Sequence, residues 1–402
     1  MTLRFTLLSA TAALVFLAAG CRPGGRSSLA TFAEDSPGIG YTNQRVATEP
    51  WSIHVVRVDR TNPTLTLHSV HAPPGAVGLT PLSSQVGRLP AHWGVTIAGV
   101  NGDFYQRDQK FAGDSRGLQI VEGELVSGPN GGVAFWVDAR GQPQATHVVS
   151  QFQATWPDGS QVPFGLNSER PVDGLVLYTL AIGTSTPSAG GREFVLESVK
   201  PGEVALAIGD SIETRVREIR ELGDTPLSPG ILVLSASPGQ AKRLPPMSVG
   251  DRIQLSTETI PDLKGARMAI GGGPTLIRQG RPLRINSNSP ESYEFSSMLE
   301  RHPRTAVGWN QEYLYLVTVD GRQETLSVGM TLDELGEYLV GLGCTEAINL
   351  DGGGSATLWY GGKVRNSPCD GEERPIANAI VVLRSPKSPP AGSPRESKAG
   401  PR

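Results

Sequence analysis

The chain has 402 residues, with 36 Lys and Arg against 39 Asp and Glu, a formal net charge of −3 and 38% hydrophobic residues. That excludes a chain too polar to bury a core. No basic patch stands out, so no nucleic-acid partner is expected, and the length suffices for one large domain or two modest ones. The 49 Gly and 32 Pro favour a turn-rich β fold over a helical bundle.

At the N-terminus, Arg4 is a thin positive region, Phe5 to Ala19 is mostly apolar, and Ala18-Ala19-Gly20-Cys21 follows. Small residues before a lone Cys are the pattern of a bacterial lipoprotein signal, with residues 1–20 removed and Cys21 lipidated. An ordinary secretory signal is the other reading. Both place the mature protein outside the cytoplasm, at the cell envelope or secreted. The apolar run is too short for a membrane span, so a lipid on Cys21 is the expected membrane contact. Residues 21–45 read as a flexible tether, 46–384 as one large domain, and 385–402 as a disordered tail.

Strands are predicted at 52–58 and 64–70, at 95–100, and at 118–121 and 133–137 with Glu122-Gly123-Glu124 as the turn between them. Further strands are predicted at 194–198, 204–208, 231–235, 313–319 and 379–383. One helix is well marked: Thr331 and Glu334 form a capping box, Leu332, Leu335, Leu339 and Leu342 follow at helical spacing, and Gly343 ends it. The expected class is α+β, with β-rich mixed sheets and a few covering helices.

The most informative run is Ala347-Ile348-Asn349-Leu350-Asp351-Gly352-Gly353-Gly354-Ser355. Alternation up to Asp351 predicts a strand, so Asn349 and Asp351 project from one face at its end. The glycines let the backbone turn and let a ligand approach. A glycine turn capped by an Asp is the plainer reading. The position after a capped helix and a short strand favours a ligand site, because ligands gather at carboxyl ends of strands. Three other polar clusters could share it: Asn101-Gly102-Asp103-Phe104-Tyr105, Arg301-His302-Pro303-Arg304-Thr305, and Asn366 with Glu372-Glu373-Arg374-Pro375. The arginines suit an anion such as phosphate, which a guanidinium can grip with two hydrogen bonds. Each cluster could equally be a turn or a solvated loop.

Cys344 and Cys369 are candidates for one disulfide in an oxidising compartment, or for two separate thiols. Gly113-Asp114-Ser115-Arg116-Gly117 matches a serine-nucleophile pattern, but no strand leads into it and no helix leaves it. The histidines show no zinc-ligand spacing.

Together these segments resemble the phosphodiester glycosidase family. The likeness spans roughly 50–384, with core motifs in 95–384. It rests on Asn101–Tyr105, Leu177-Tyr178-Thr179, Gly271-Gly272-Gly273-Pro274, Arg301–Gly308, Asp320-Gly321-Arg322, Ser327–Thr331, Asn349–Ser355 and Glu373-Arg374-Pro375. Asp103 departs from the uncharged residue of many relatives. The resemblance implies hydrolysis of a sugar-1-phosphate diester or glycopolymer at the glycosidic bond, with carboxylates at the anomeric carbon and cations at the phosphate. On that reading Asp351 is the principal carboxylate, joined by Glu373 and Asp103. Arg304 holds the phosphate with Arg301 or Arg374. Asn101, Asn349, Asn366, Gly352, Gly353 and Ser355 contact the substrate. A non-catalytic glycopolymer-binding lipoprotein is an alternative. So is a phosphodiesterase using Ca²⁺ or Mg²⁺ on Asp103, Asp351 and Glu373.

Overall fold

A computed structural model describes residues 31–72, 77–107, 111–200, 205–286 and 296–385. The signal segment, Cys21 and the tail from 386 onward lie outside the described residues. Among the described residues the strands fall into four sheets, two of eight strands and two of five. Among the described residues the one parallel pairing joins Gly165–Leu166 to Leu175–Tyr178. The α-helices of the described residues are Leu82–Gly87, Pro238–Ala241 and Leu332–Gly341, so this part of the chain is strand-rich with little helical cover. No helix is long and apolar enough to cross a membrane among the described residues.

The sheet that carries the glycine run has Arg304–Trp309 between Tyr313–Val319 and Glu346–Asn349, all antiparallel. Apolar residues on one side of it pack against the helix Leu332–Gly341. The capping box forms as expected: Glu334 N–H donates to Thr331, and the Glu334 carboxylate accepts from the Thr331 N–H. Leu332, Leu335 and Leu339 are buried on that sheet. Each contributes roughly 1.5–3 kcal/mol by leaving water. Gly343, at φ +87°, turns the chain back into the strand. The capped helix and its strand thereby set the height at which Asp351 emerges.

Two parts of the sequence reading need correction. The segment expected as a tether contains the strands Ala33–Ser36 and Ile39–Val46. Ile39–Val46 pairs along its whole length with Trp51–Asp59, and Ile39 is buried. Its polar residues cover a sheet edge, which a composition-based reading takes for a tether. The turn at Glu122–Glu124 leads not to 133–137 but to an extra strand, Glu124–Ser127, and 205–208 is not a strand. The second eight-stranded sheet contains six strands that went unforeseen, the longest of them Val149–Thr155, Ser211–Arg220 and Arg252–Ile260. Their buried faces include Ala154, Thr214, Thr257 and Thr259, so the apolar half of the alternation is weak.

Candidate active site

The glycine loop leaves its strand and bridges two sheets. Leu350 N–H donates to Thr305 O on one side, and Asp351 N–H donates to Gly102 O on the other, at 2.8 and 2.9 Å. Gly353, at φ +60°, starts a single 3₁₀ turn through Ser355, and its N–H donates to Pro303 O at 2.8 Å. A Cβ on Gly352 would sit 2.6 Å from that same oxygen. The Arg-His-Pro-Arg segment and the glycine run are thus in direct contact, as their joint appearance in the sequence suggested.

Asp351 is half-buried at the head of this loop. Its carboxylate accepts from Gly352 N–H at 2.9 Å and from the Ser355 hydroxyl. Burial raises its pKa; those two donors, with the charges of Arg107 and Arg374, pull the other way. Behind it lies Asp103, 4% exposed. Asp103 accepts from Phe104 N–H, the Ser115 hydroxyl and Gly117 N–H at 2.7–2.8 Å. Burial nevertheless lifts it to about 6, with the Asp351 charge adding to the rise. Ser115 is therefore a hydroxyl that braces a carboxylate, consistent with its rejection as a nucleophile. One residue further, Asp114 is buried, with its pKa pushed to about 7 by burial and by the charge of Asp103. Asp351, Asp103 and Asp114 thus form a chain of carboxylates, each within electrostatic reach of the next.

Opposite them the loop meets arginines. A Cβ on Gly354 would overlap the Arg374 guanidinium, and one on Gly353 would lie 3.3 Å from Arg322 Nη2. Arg374 is held by Asp370 at 2.6 Å. Arg322 Nε donates to His302 Nδ1 at 3.3 Å, and His302 Nε2 sits 3.2 Å from Glu300. Burial, then Arg304 and Arg322, lowers the His302 pKa, which suits a neutral ring accepting from Arg322. The turn that presents Arg322 is fixed from below. Asp320, 1% exposed, takes Ser367 N–H at 2.7 Å and meets His54 at 2.9 Å.

Several residues expected at the substrate belong to the scaffold instead. Asn101 is fully buried; it donates to Asp351 O at 2.6 Å and accepts from the Thr305 hydroxyl and Thr357 N–H. Asn349 is buried and donates to Gly273 O, and Asn366 ties Leu358 N–H to Ala356 O. Arg304 is buried, donating to the carbonyls of Met330, Ser297 and Glu300, and burial lowers its pKa to about 10. Arg301 turns to Glu334 and Glu49 and covers the Trp51 ring. Glu373 accepts from Ser83 N–H at 2.9 Å, in the first turn of the helix Leu82–Gly87. Glu373→Ala is expected to cost about 1 kcal/mol of stability as a lost cap. Its turnover should stay within a few-fold of the parent; a thousandfold loss would return Glu373 to the chemistry.

Of the two readings open for Cys344 and Cys369, the structure has two separate free thiols and not a disulfide. Cys344 is buried among the helix leucines, whereas Cys369 lies half-buried beside Asp370 and Arg322. Arg322, Arg107 and Asp114 received no role from the sequence. Arg322 stood inside a quoted motif, Asp320-Gly321-Arg322, and its position after a strand end was the available signal.

The inner carboxylates have a consequence for stability. Asp103 and Asp114 have folded pKa values above the roughly 3.9 of an unfolded Asp, so the fold binds protons more tightly than the unfolded chain. Their contribution is full below about pH 4 and is lost progressively as pH rises to about 6 and 7. The part lost between pH 5 and pH 8 is on the order of 4 kcal/mol. Chemical denaturation at pH 5 and pH 8 should show it, and Asp114→Asn should shrink the difference. A difference unchanged in that variant would exclude Asp114 as its source.

Residues 204–383 match the family model described as phosphodiester glycosidase. That stretch of the chain is similar to this family. The chain is 34% identical over 110 residues to mouse N-acetylglucosamine-1-phosphodiester alpha-N-acetylglucosaminidase, covering 27% of this chain and 21% of that protein. It is 31% identical over 120 residues to an uncharacterized SPbeta prophage-derived protein of Bacillus subtilis, covering 30% of this chain and 18% of that one. The chain thus spans about a fifth of the length of these relatives. A crystal structure of a hypothetical protein from Synechocystis shares the fold, with a TM-score of 0.67 at 22% identity over 86% of this chain and 62% of that one.

Proposed function

We propose that this chain hydrolyses the glycosidic C–O bond of a sugar-1-phosphate diester, acting outside the cytoplasm as a lipid-anchored envelope protein. The observation that carries the reading is a partly exposed carboxylate, Asp351, that feels the buried Asp103 carboxylate on one hand and the charges of Arg107 and Arg374 on the other. A phosphate diester seats on Arg322 and Arg374, and the sugar lies toward the acid side. Water adds its oxygen to the anomeric carbon, the C1–O electron pair leaves with the phosphate monoester, and the water proton passes to Asp351. A phosphate monoester leaves readily, so a second accessible acid is not required. The name of the mouse relative, which specifies an N-acetylglucosamine phosphodiester, supports the same bond and suggests the first sugar to try. Asp103 is a positioning residue: buried and held by three donors, it fixes the floor beneath Asp351.

Hydrolysis in ¹⁸O-water tests the bond. Label in the released sugar supports the proposal, and label in the phosphate overturns it. A cation held jointly by Asp103, Asp351 and Glu373 would require Glu373 to leave Ser83, so turnover should survive EDTA. Arg322→Ala is expected to raise KM by about 10- to 100-fold, the loss of a charge-assisted phosphate contact, with a smaller fall in kcat. An unchanged KM would remove Arg322 from the phosphate.

A further inference from the structure

Beside the two arginines given to the phosphate stands a carboxylate that no step of the reaction uses, Asp370. Two nitrogens of Arg374 converge on its Oδ2, Nε at 2.8 Å and Nη2 at 2.6 Å. A Cβ on Gly354 would overlap both this oxygen and the Arg374 guanidinium, so the acid and the base lie against the same glycine. Burial raises the Asp370 pKa, but the bond to Arg374, the Cys369 thiol and the charges of Arg374 and Arg322 outweigh it and hold the carboxyl below its usual range. Asp370 is thus within electrostatic reach of both arginines. Asp370 and Arg322 are exposed and Arg374 is half-buried, so a ligand on the arginines meets the acid as well.

The backbone fixes this arrangement. Gly371 N–H closes a turn around Asp370 onto Pro368 O at 3.0 Å. Ser367, just before that turn, is tied to the two residues that bracket Gly321-Arg322. Its N–H donates to Asp320 Oδ1, its hydroxyl donates to Gln323 Oε1, and its carbonyl accepts from Gln323 Nε2, at 2.7–2.9 Å. Stability does not account for the acid, since an ion pair this exposed contributes little. An anion fixed beside an anion seat weakens that seat, and the reaction gives a reason for it.

We propose that Asp370 is a specificity-determining residue that sets the charge of the phosphate seat to hold a diester and to release a monoester. The proposal rests on the glycosidase reading of Arg322 and Arg374. Those arginines offer two positive charges, and Asp370 cancels one. A phosphate diester carries one negative charge. Cleavage of its C–O bond leaves a monoester, which loses a second proton near pH 6 and is then a dianion. The arginines alone would suit this product better than the substrate. With Asp370 in place, the charge that the reaction creates meets a fixed negative charge, and the product leaves. Near a protein surface, one such charge against another changes affinity by about tenfold.

Binding at pH 8 tests the assignment with two ligands of similar shape, phenyl phosphate, a dianion, and methyl phenyl phosphate, a monoanion. Wild type, Asp370→Asn, Asp370→Ser, Asp370→Glu and Arg374→Ala are titrated by calorimetry, with thermal melts to confirm that each is folded. Wild type should bind the monoanion at least as tightly as the dianion. Loss of the charge in Asp370→Asn and Asp370→Ser should raise affinity for the dianion about tenfold and for the monoanion about threefold or less. Asp370→Glu should keep the parent preference, and Arg374→Ala should weaken both ligands. An acid that only orients Arg374 would move both ligands alike. The assignment is overturned if the ratio of the two affinities is the same in wild type and in both charge-free variants. It is overturned equally if wild type prefers the dianion tenfold, or if neither ligand binds wild type or the charge-free variants. Turnover of a sugar-1-phosphate diester, measured alongside, separates the two readings. A shifted preference without turnover would keep the charge-setting role and sink the glycosidase reading; turnover with an unshifted preference would do the reverse.

Discussion

Asp351→Asn should remove turnover of a sugar-1-phosphate diester by about a thousandfold or more while leaving the protein folded. Asparagine keeps the shape of the side chain and one acceptor oxygen, so the Gly352 N–H can still be satisfied. What is lost is the negative charge and the capacity to take a proton from water. KM for the diester should change little, because the arginines at Gly353 and Gly354 are untouched. Stability should hold or rise slightly: burial already disfavours the charged form of Asp351, and the variant relieves its repulsion of Asp103. The pH profile of the parent gives an independent check. Its acid limb should lie above the ordinary aspartate range, in the direction in which burial moves Asp351, and turnover should fall below it as the carboxylate protonates. Full activity in Asp351→Asn, or an acid limb at the ordinary value, would take Asp351 out of the reaction.

What the sequence disclosed and what it hid follow one physical division. The strand that delivers Asp351 and the helix before it were legible, since both depend on local periodicity and a capping box whose partners are three residues apart. The contact between the glycine run and the Arg-His-Pro-Arg segment could be suspected from composition. The division of labour among the polar residues could not. Asn101 looks like a ligand-binding amide in sequence, but Asp351 O, Thr305 and Thr357 absorb it, and Asn349 gives its amide nitrogen to Gly273 O while its Oδ1 keeps no partner among the described residues. Arg301 and Arg304 look alike on either side of His302-Pro303, yet one faces Glu334 and Glu49 at the surface and the other is sealed among carbonyls. Each of these outcomes depends on which strand lies opposite, which a single sequence does not record. Asp114 was hidden for the same reason, since its burial comes from a sheet whose strands went unforeseen.

Gly271→Ala should be the most damaging change of a residue that touches no substrate. Gly271 lies in the strand Met268–Gly272, paired with Ala134, and faces the carboxylate of Asp103. A Cβ there would come within 2.7 Å of Asp103 Cγ and 2.9 Å of Gly117 Cα. Asp103 has nowhere to retreat, because its oxygens are held by Ser115, Gly117 and Phe104. Gly117 is backbone and moves only with its loop. The overpacking should cost about 1–3 kcal/mol, visible as a lower denaturation midpoint. The displaced Asp103 should also disturb Asp351 and lower kcat by about tenfold or more, as misplacement of reacting groups does. The double variant Asp103→Ser, Gly271→Ala separates the two effects. Shortening the side chain makes room for the new methyl group, so stability should recover in part relative to Gly271→Ala. Turnover should remain low, because the floor beneath Asp351 is still altered. Recovery of turnover along with stability would show that Asp103 does no more than fill space, and would leave Asp351 to act without a carboxylate behind it.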